Sequence, residues 1–242
     1  MSRLRGTTDF IWVTLVLIGF WQALTLLVGD TALPSPLHTI HQLGVLMMTG
    51  KFWMHAAESG KSLLIAGLVT ALGGVVLGLA LGLHRFSGEV AKPILVAIYS
   101  LPKVAIYPLI LLFFGLGLSA KVALGVLNGF PPVSLFTMSA VGNIRPSIIR
   151  TARVFRLSPW EAMRTVLIPA ALPEILSGIR VGMALTMVGV LIGEIFASNR
   201  GLGFVLTQAS QLDDNRTVMA VTLFIVIAAL TLNWLLGLLT RR

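Results

Sequence analysis

Cysteine is absent from the 242 residues, and acidic side chains number only nine. Without cysteine there is no disulfide framework, no thiolate metal site and no thiol nucleophile. Charged residues make up 11% of the chain, against roughly 25% in an ordinary soluble domain. That shortage leaves too little charge to cover a water-facing globule of this size, and it argues against a cytosolic enzyme. Disorder is excluded by the same numbers, because apolar residues are abundant. What the sequence does contain is grease and positive charge. It is 56% hydrophobic, with a mean hydropathy of +0.93 and a formal net charge of +9. A basic balance is compatible with nucleic acid, but in so apolar a chain it points to positive-inside membrane topology, and no nucleic-acid partner is expected.

Six long apolar stretches stand out: Phe10–Val28, Ser62–Leu83, Ile94–Gly115, Ala120–Val141, Ile175–Ala197 and Val218–Leu239. Each is long enough to cross a hydrocarbon core of about 30 Å. They are continuously apolar rather than alternating, so helices are expected and not barrel strands. The first follows a basic start (Arg3, Arg5) but is too long for a signal-peptide core and lacks a small-x-small cleavage site, so it reads as a retained span. The expected fold is an all-α integral membrane protein of about six transmembrane helices. Its expected divisions are an N-terminus at 1–9, a first span at 10–28, an outer segment at 29–61 and a core at 62–239. An inner loop at 142–174 lies within that core, and a C-terminus follows at 240–242.

Lys and Arg set the expected orientation. With the N-terminus inside, the inner segments hold eleven: Arg3, Arg5, Arg85, Lys92, Arg145, Arg150, Arg153, Arg156, Arg164, Arg241 and Arg242. The outer segments hold five: Lys51, Lys61, Lys121, Arg200 and Arg216. Both termini and the 142–174 loop are therefore expected in the cytoplasm. Outside, Pro34-Ser35-Pro36 opens a segment whose middle, Leu37–Met48, is mildly amphipathic and suits the membrane surface.

Several local patterns invite chemistry and are too sparse to carry it. Gly60-Lys61-Ser62 resembles the end of a phosphate-binding loop, but His55 occupies the position of the earlier glycine and no strand precedes it. It reads as a polar cap on the second span, and no nucleotide or metal cofactor is expected on this chain. His38 and His41 have ligand spacing but no evident third ligand. No Ser/His/Asp, paired-Asp or His-rich set appears in the spans, so the chain is not read as an enzyme. Gly74, Gly78 and Gly82, and separately Gly178, Gly182, Gly189 and Gly193, form small-residue rows that permit close helix packing. Pro102 and Pro108 flank Lys103 in the third span, and the fourth carries Asn128 before Pro131 and Pro132. Interrupted helices and intramembrane charges are features of transport pathways. Lys103, Pro102, Pro108, Asn128 and Glu194 are the candidate pathway residues, with Lys103 a candidate partner for either an anion or Glu194.

The inner loop is the most structured of the polar segments. Ser147–Arg156 has helical spacing, with Ile148, Ala152 and Phe155 on an apolar face and Arg150, Arg153 and Arg156 on another. Ser158-Pro159-Trp160-Glu161 is a capping box that starts a second short helix, expected to stop near Pro169.

Arg150-Thr151-Ala152-Arg153, followed by Val166-Leu-Ile-Pro169-Ala-Ala-Leu-Pro173, resembles the cytoplasmic "EAA" loop of binding-protein-dependent ABC importer permeases, in the nitrate/sulfonate/taurine branch. Leu33-Pro-Ser-Pro36, Pro108–Gly117, and Gly193-Glu-Ile-Phe196 followed by Gly201-Leu-Gly203 extend the resemblance over about residues 30–240. Arg150, Thr151 and Arg156 stand where the family pattern has Glu, Ala and Gly. The resemblance implies a type I importer bundle in a bacterial inner membrane. It implies pairing with a second permease subunit, a homodimer being expected, and docking of a coupling helix on a cytoplasmic ATPase dimer that binds ATP and Mg. It also implies delivery of a small solute, such as a sulfonate, nitrate or related organic acid, by a periplasmic substrate-binding protein. The coupling residues it marks are Arg150, Thr151, Ala152, Arg153, Phe155, Arg156, Ser158, Glu161 and Pro169. The competing reading is an ion-coupled secondary transporter or channel that works without an ATPase.

Overall fold

The computed structural model describes residues 2–145, 147–148, 150, 154–155 and 157–239. Among them there are helices and no strands. In chain order the helices are α1 (Ser2–Val28), α2 (Pro36–Met47), α3 (Gly50–Leu83), α4 (Arg85–Ser100), α5 (Lys103–Phe114) and α6 (Leu118–Gly142). They are followed by α7 (Pro159–Ala162), a π-helical turn (Met163–Leu167), α8 (Ile168–Ala197), α9 (Leu202–Gln211) and α10 (Asn215–Leu239).

Four of these stretches are long and apolar enough to cross a membrane: α3, α6, the path from Trp160 to Ala197, and α10. The α4–α5 pair passes the same test as one broken span, bent by 94°. The described apolar part of α1, Trp12–Val28, is shorter. The chain is thus a multi-pass all-α membrane protein, with four unbroken spans and one broken one among the described residues.

The core is a close contact of α3, α6 and α8, built on missing side chains. A Cβ at Gly74 or Gly78 of α3 would sit 2.8 Å from Val133 or 2.5 Å from Thr137 of α6. On α8, a Cβ at Gly178 would meet Phe136 at 2.4 Å, and one at Gly182 would meet Val133 at 2.2 Å. Gly129 of α6 faces Thr186 of α8 so closely that a Cβ would fall 2.0 Å from its hydroxyl oxygen. Lipid supplies little hydrophobic drive between helices, so this backbone approach and the dispersion it allows hold the bundle together. Thr186 Oγ1 also donates to Gly182 O at 2.8 Å and lies 3.3 Å from Thr70 Oγ1 of α3, a buried polar link between two spans.

Four boundaries differ from the sequence expectation. The helix of the expected second span, α3, starts at Gly50, twelve residues before Ser62, with Thr49 Oγ1 accepting from Phe52 N–H at its head. Gly60, Lys61 and Ser62 therefore lie inside a continuous helix. The third span breaks at Leu101–Pro102, while Pro108 rides inside α5. The fourth span is not interrupted: Pro131 and Pro132 are buried in an unbroken α6, where neighbouring helices hold the backbone in place. The helix after Ser158 does not stop at Pro169. Ile168 N–H reaches Met163 O five residues back, and this wider turn accommodates the proline ring, so the helix continues into α8.

At one end of the bundle, Asp30 ties the turn after α1 to two other elements. Its carboxylate lies 2.7 Å from His38 Nδ1 of α2, accepts from Ser35 N–H, and lies 3.4 Å from Arg216 of α10. The hydrogen bond with His38, then that with Ser35, pulls the Asp30 carboxyl down to about 2.

Candidate functional site: a clamp and a docking loop at opposite ends of one helix

The helical path from Pro159 to Ala197 connects two polar constructions. The α8 section alone, thirty residues, spans about 45 Å.

At its C-terminal end, Glu194 is fully buried. Its carboxylate accepts from Ser59 Oγ of α3 at 2.7 and 2.8 Å and from Gly203 N–H at 3.0 Å, and Lys121 Nζ of α6 lies 3.9 Å away. Ser59 Oγ in turn accepts from Leu202 N–H at 2.8 Å, and His55 Nδ1 accepts from Gly201 N–H at 3.1 Å. Three successive N–H groups at the head of α9 are therefore capped by three side chains from α3 and α8, which offsets the donors that a helix start leaves unpaired. Lys121 is only 1% exposed. It binds Glu58 of α3 at 3.2 Å and the carbonyl of Arg200 at 3.4 Å. Gly201 has φ +118, a region that favours glycine, and its absent side chain is what admits the Glu194 carboxyl.

Sequence reasoning singled out Glu194 but not Lys121, Glu58, Ser59 or His55. Lys121 read as an outer-loop cation because it stands at the head of an apolar run. The i, i+4 spacing of His55 and Ser59 was the available signal that both face the same way.

The other candidate pathway residues are not brought together. Pro102 caps α5 and Lys103 is its first residue, at the break in the middle of the bent α4–α5 span. The Lys103 ammonium donates to the Tyr99 carbonyl at the end of α4 and lies 5.1 Å from the Tyr99 ring centroid, so it closes the break between the two helices. Its partner is not Glu194. Asn128 is buried, donates to Leu124 O at 2.9 Å, and lies under Gly189 of α8. An apolar cavity of about 580 Å³ opens between α4, α5 and α6, walled by residues such as Leu95, Ile98, Phe114, Leu127 and Phe130. None of Lys103, Asn128 and Glu194 lines it.

At the other end, the capping box forms as a reciprocal pair: Ser158 N–H donates to Glu161 Oε2 at 2.9 Å, and Glu161 N–H to Ser158 Oγ at 3.3 Å. Pro169 lies about two turns beyond, at the start of α8. Ser147, Ile148, Arg150 and Val154 have helical backbone. The expected apolar stripe divides, however. Ile148 packs inward on a cluster of Ala140, Val141, Ile144, Ala171 and Ile175, whereas Phe155 is 72% exposed, with Val154 and Trp160 also exposed. Ile148 faces inward because Val141 and Ala171 leave an apolar surface that it can cover. Arg150 is exposed. Thr151, Ala152, Arg153 and Arg156 lie outside the described residues.

Residues 74–242 match the sequence family described as binding-protein-dependent transport system inner membrane component. The chain belongs to that family. It is 33% identical to the riboflavin transport system permease protein RibX of Chloroflexus aurantiacus, over 99% of this chain and 92% of that protein. It is 30% identical to the taurine transport system permease protein TauC of Escherichia coli, over 95% and 86%. The nitrate import permease protein NrtB of Leptolyngbya laminosa is 26% identical over 94% and 84%. The fold is shared with a solved chain of the inward-facing MetNI methionine ABC transporter (TM-score 0.68, 20% identity, 80% of this chain and 98% of that one). It is shared also with a chain of a bacterial ABC transporter that imports alginate (TM-score 0.67, 13% identity, 99% of each). The permease therefore shares the helical fold of these importer subunits, and the relatives it resembles are permeases of riboflavin, taurine and nitrate systems.

Proposed function

We propose that this permease is the membrane-spanning subunit of an ATP-driven importer. The observation that carries the reading is the exposed apolar tip at Val154, Phe155 and Trp160, next to the capping box that starts the helical path to Ala197, which carries Glu194 in its last turn. A cytoplasmic ATPase dimer grips the 142–174 loop, and ATP with Mg binds there and not on this chain. A pull on the loop travels along α8 to the Glu194 clamp. Two copies of the permease pair around the pathway, and an extracytoplasmic binding protein delivers the solute. Both termini lie in the cytoplasm, in line with the Lys and Arg distribution, and the clamp lies on the outer side.

The solute is a small anion such as a sulfonate, nitrate or a related organic acid, the class named for the taurine and nitrate relatives. Lys103, beside the bend at Pro102, is the candidate anion contact in that pathway. The test is reconstitution with the ATPase that co-purifies from the native host, and with the cognate binding protein, in proteoliposomes. Uptake of a labelled sulfonate or nitrate that requires ATP supports the reading. Uptake driven by an ion gradient alone overturns the ATPase assignment. Uptake of riboflavin but not of anions overturns the substrate class.

A further inference from the structure

Of the three side chains that cap the head of α9, His55 is the one that loses its accepting atom outright when that atom takes a proton. His55 is 4% exposed, and its Nδ1 accepts the Gly201 N–H at 3.1 Å. That bond requires Nδ1 to be unprotonated, so in the neutral ring the proton sits on Nε2, a buried atom with no hydrogen-bond partner among the described residues. Protonation at Nδ1 places an N–H against an N–H. The Gly201 N–H then has no acceptor in His55, while the neighbouring Leu202 and Gly203 N–H groups stay bound to Ser59 and Glu194.

We propose that His55 is a pH-sensitive release for the 198–203 turn: a proton taken from solvent onto Nδ1 removes the acceptor for Gly201 N–H and loosens the end of α8 from α3. The charges around the ring fix the sense of the effect. The ring is buried, which disfavours its charged form, and Lys51, one turn earlier on α3, and Arg200 of the turn itself are cations near it. Glu58 on α3 is committed to Lys121 of α6, and Glu194 on α8 to Ser59 and Gly203. From α9 the ring meets only Phe204, at 5.9 Å between centroids, and α9 carries no charged residue. An imidazolium would be a third cation in this corner with no carboxylate free to accept it, so the protonated state is relieved by opening rather than by re-pairing. The inference concerns the permease alone and needs neither the ATPase nor the solute proposed above.

The absence of cysteine makes the test direct. Asn199→Cys, in the exposed turn, carries a single spin label on the purified permease in nanodiscs. Between about pH 7.5 and about pH 4.5 the mobile fraction of the label is expected to rise at least about threefold, reversibly, as the imidazole takes up its proton. In His55→Gln, whose amide oxygen can accept without titrating, the mobile fraction is expected to stay flat. No rise in the His55 protein overturns the proposal, and an equal rise in His55→Gln overturns it in favour of Glu58 or Glu194. Should His55→Gln fail to accumulate, hydrogen exchange of the 201–203 amides in the unsubstituted permease, corrected for the intrinsic pH dependence, gives the answer. Protection lost at the lower pH supports the release, and protection unchanged overturns it.

Discussion

Glu194 sits so close against Gly201 that a Cβ carbon at residue 201 would lie 2.2 Å from its carboxyl carbon. The fit is reciprocal. A carboxylate removed from both water and lipid needs donors, and the turn after α8 provides one N–H directly and another through Ser59. In exchange, the start of α9 is fixed to α3 and α8 by groups that no exposed loop would supply.

Gly201→Ala meets both the clash and the positive φ. It is expected to destabilise the permease by about 2–4 kcal/mol, combining overpacking with the left-handed backbone. Thermal unfolding in detergent, compared with Gly19→Ala, where nothing lies within 4 Å of the new carbon, measures it.

Lys121→Met leaves Glu194 and Glu58 without their cation. The expected cost is about 3 kcal/mol, the usual consequence of breaking a buried pair from one side. Adding Glu194→Gln to Lys121→Met is expected to recover part of that loss. A double-mutant cycle in thermal stability reads the coupling, and strictly additive losses would show that the two groups do not interact.

Much of this architecture is legible in the sequence, for physical reasons that differ from element to element. The apolar runs announce helices because a lipid-embedded backbone has few other solutions. The glycine rows announce α3–α6 and α8–α6 contacts because only a missing side chain lets helices approach so closely. The Ser158–Glu161 box is local chemistry and reads directly. What sequence could not place was decided by contacts distant in the chain. Glu194 read as a pathway charge because its cation, Lys121, lies 73 positions earlier by residue number. Lys103 reads as a mid-span charge, and the 94° bend beside it, which makes it a helix start, is a tertiary feature that the prolines only hint at. Pro169 read as a stop because a π-helical turn has no sequence signature that separates it from a break. Ile148 read as part of an outward stripe because helical spacing alone does not say which face the rest of the bundle covers.

Ser158→Ala removes half of the capping box. The expected loss is about 1 kcal/mol of local helix stability at Pro159–Ala162, with the bundle intact. Hydrogen exchange at Glu161 and Ala162 is expected to speed up by roughly fivefold, while the amides of α6 stay protected. Unchanged exchange at both positions would show that the box does not hold this helix start.

The account turns on the loop as the place where energy enters, and on Phe155 as its exposed tip against Ile148 as its anchor. Burying Phe155 in a partner is worth about 1.5–3 kcal/mol by area, so its loss weakens association by roughly ten- to a hundredfold. The decisive measurement is co-purification with the ATPase, together with ATP-dependent uptake, for Phe155→Asp and Ile148→Asp side by side. Phe155→Asp is expected to leave an inserted, thermally normal permease that no longer retains the ATPase or takes up solute, whereas Ile148→Asp lowers thermal stability. A Phe155→Asp permease that keeps both the ATPase and its uptake would contradict the account.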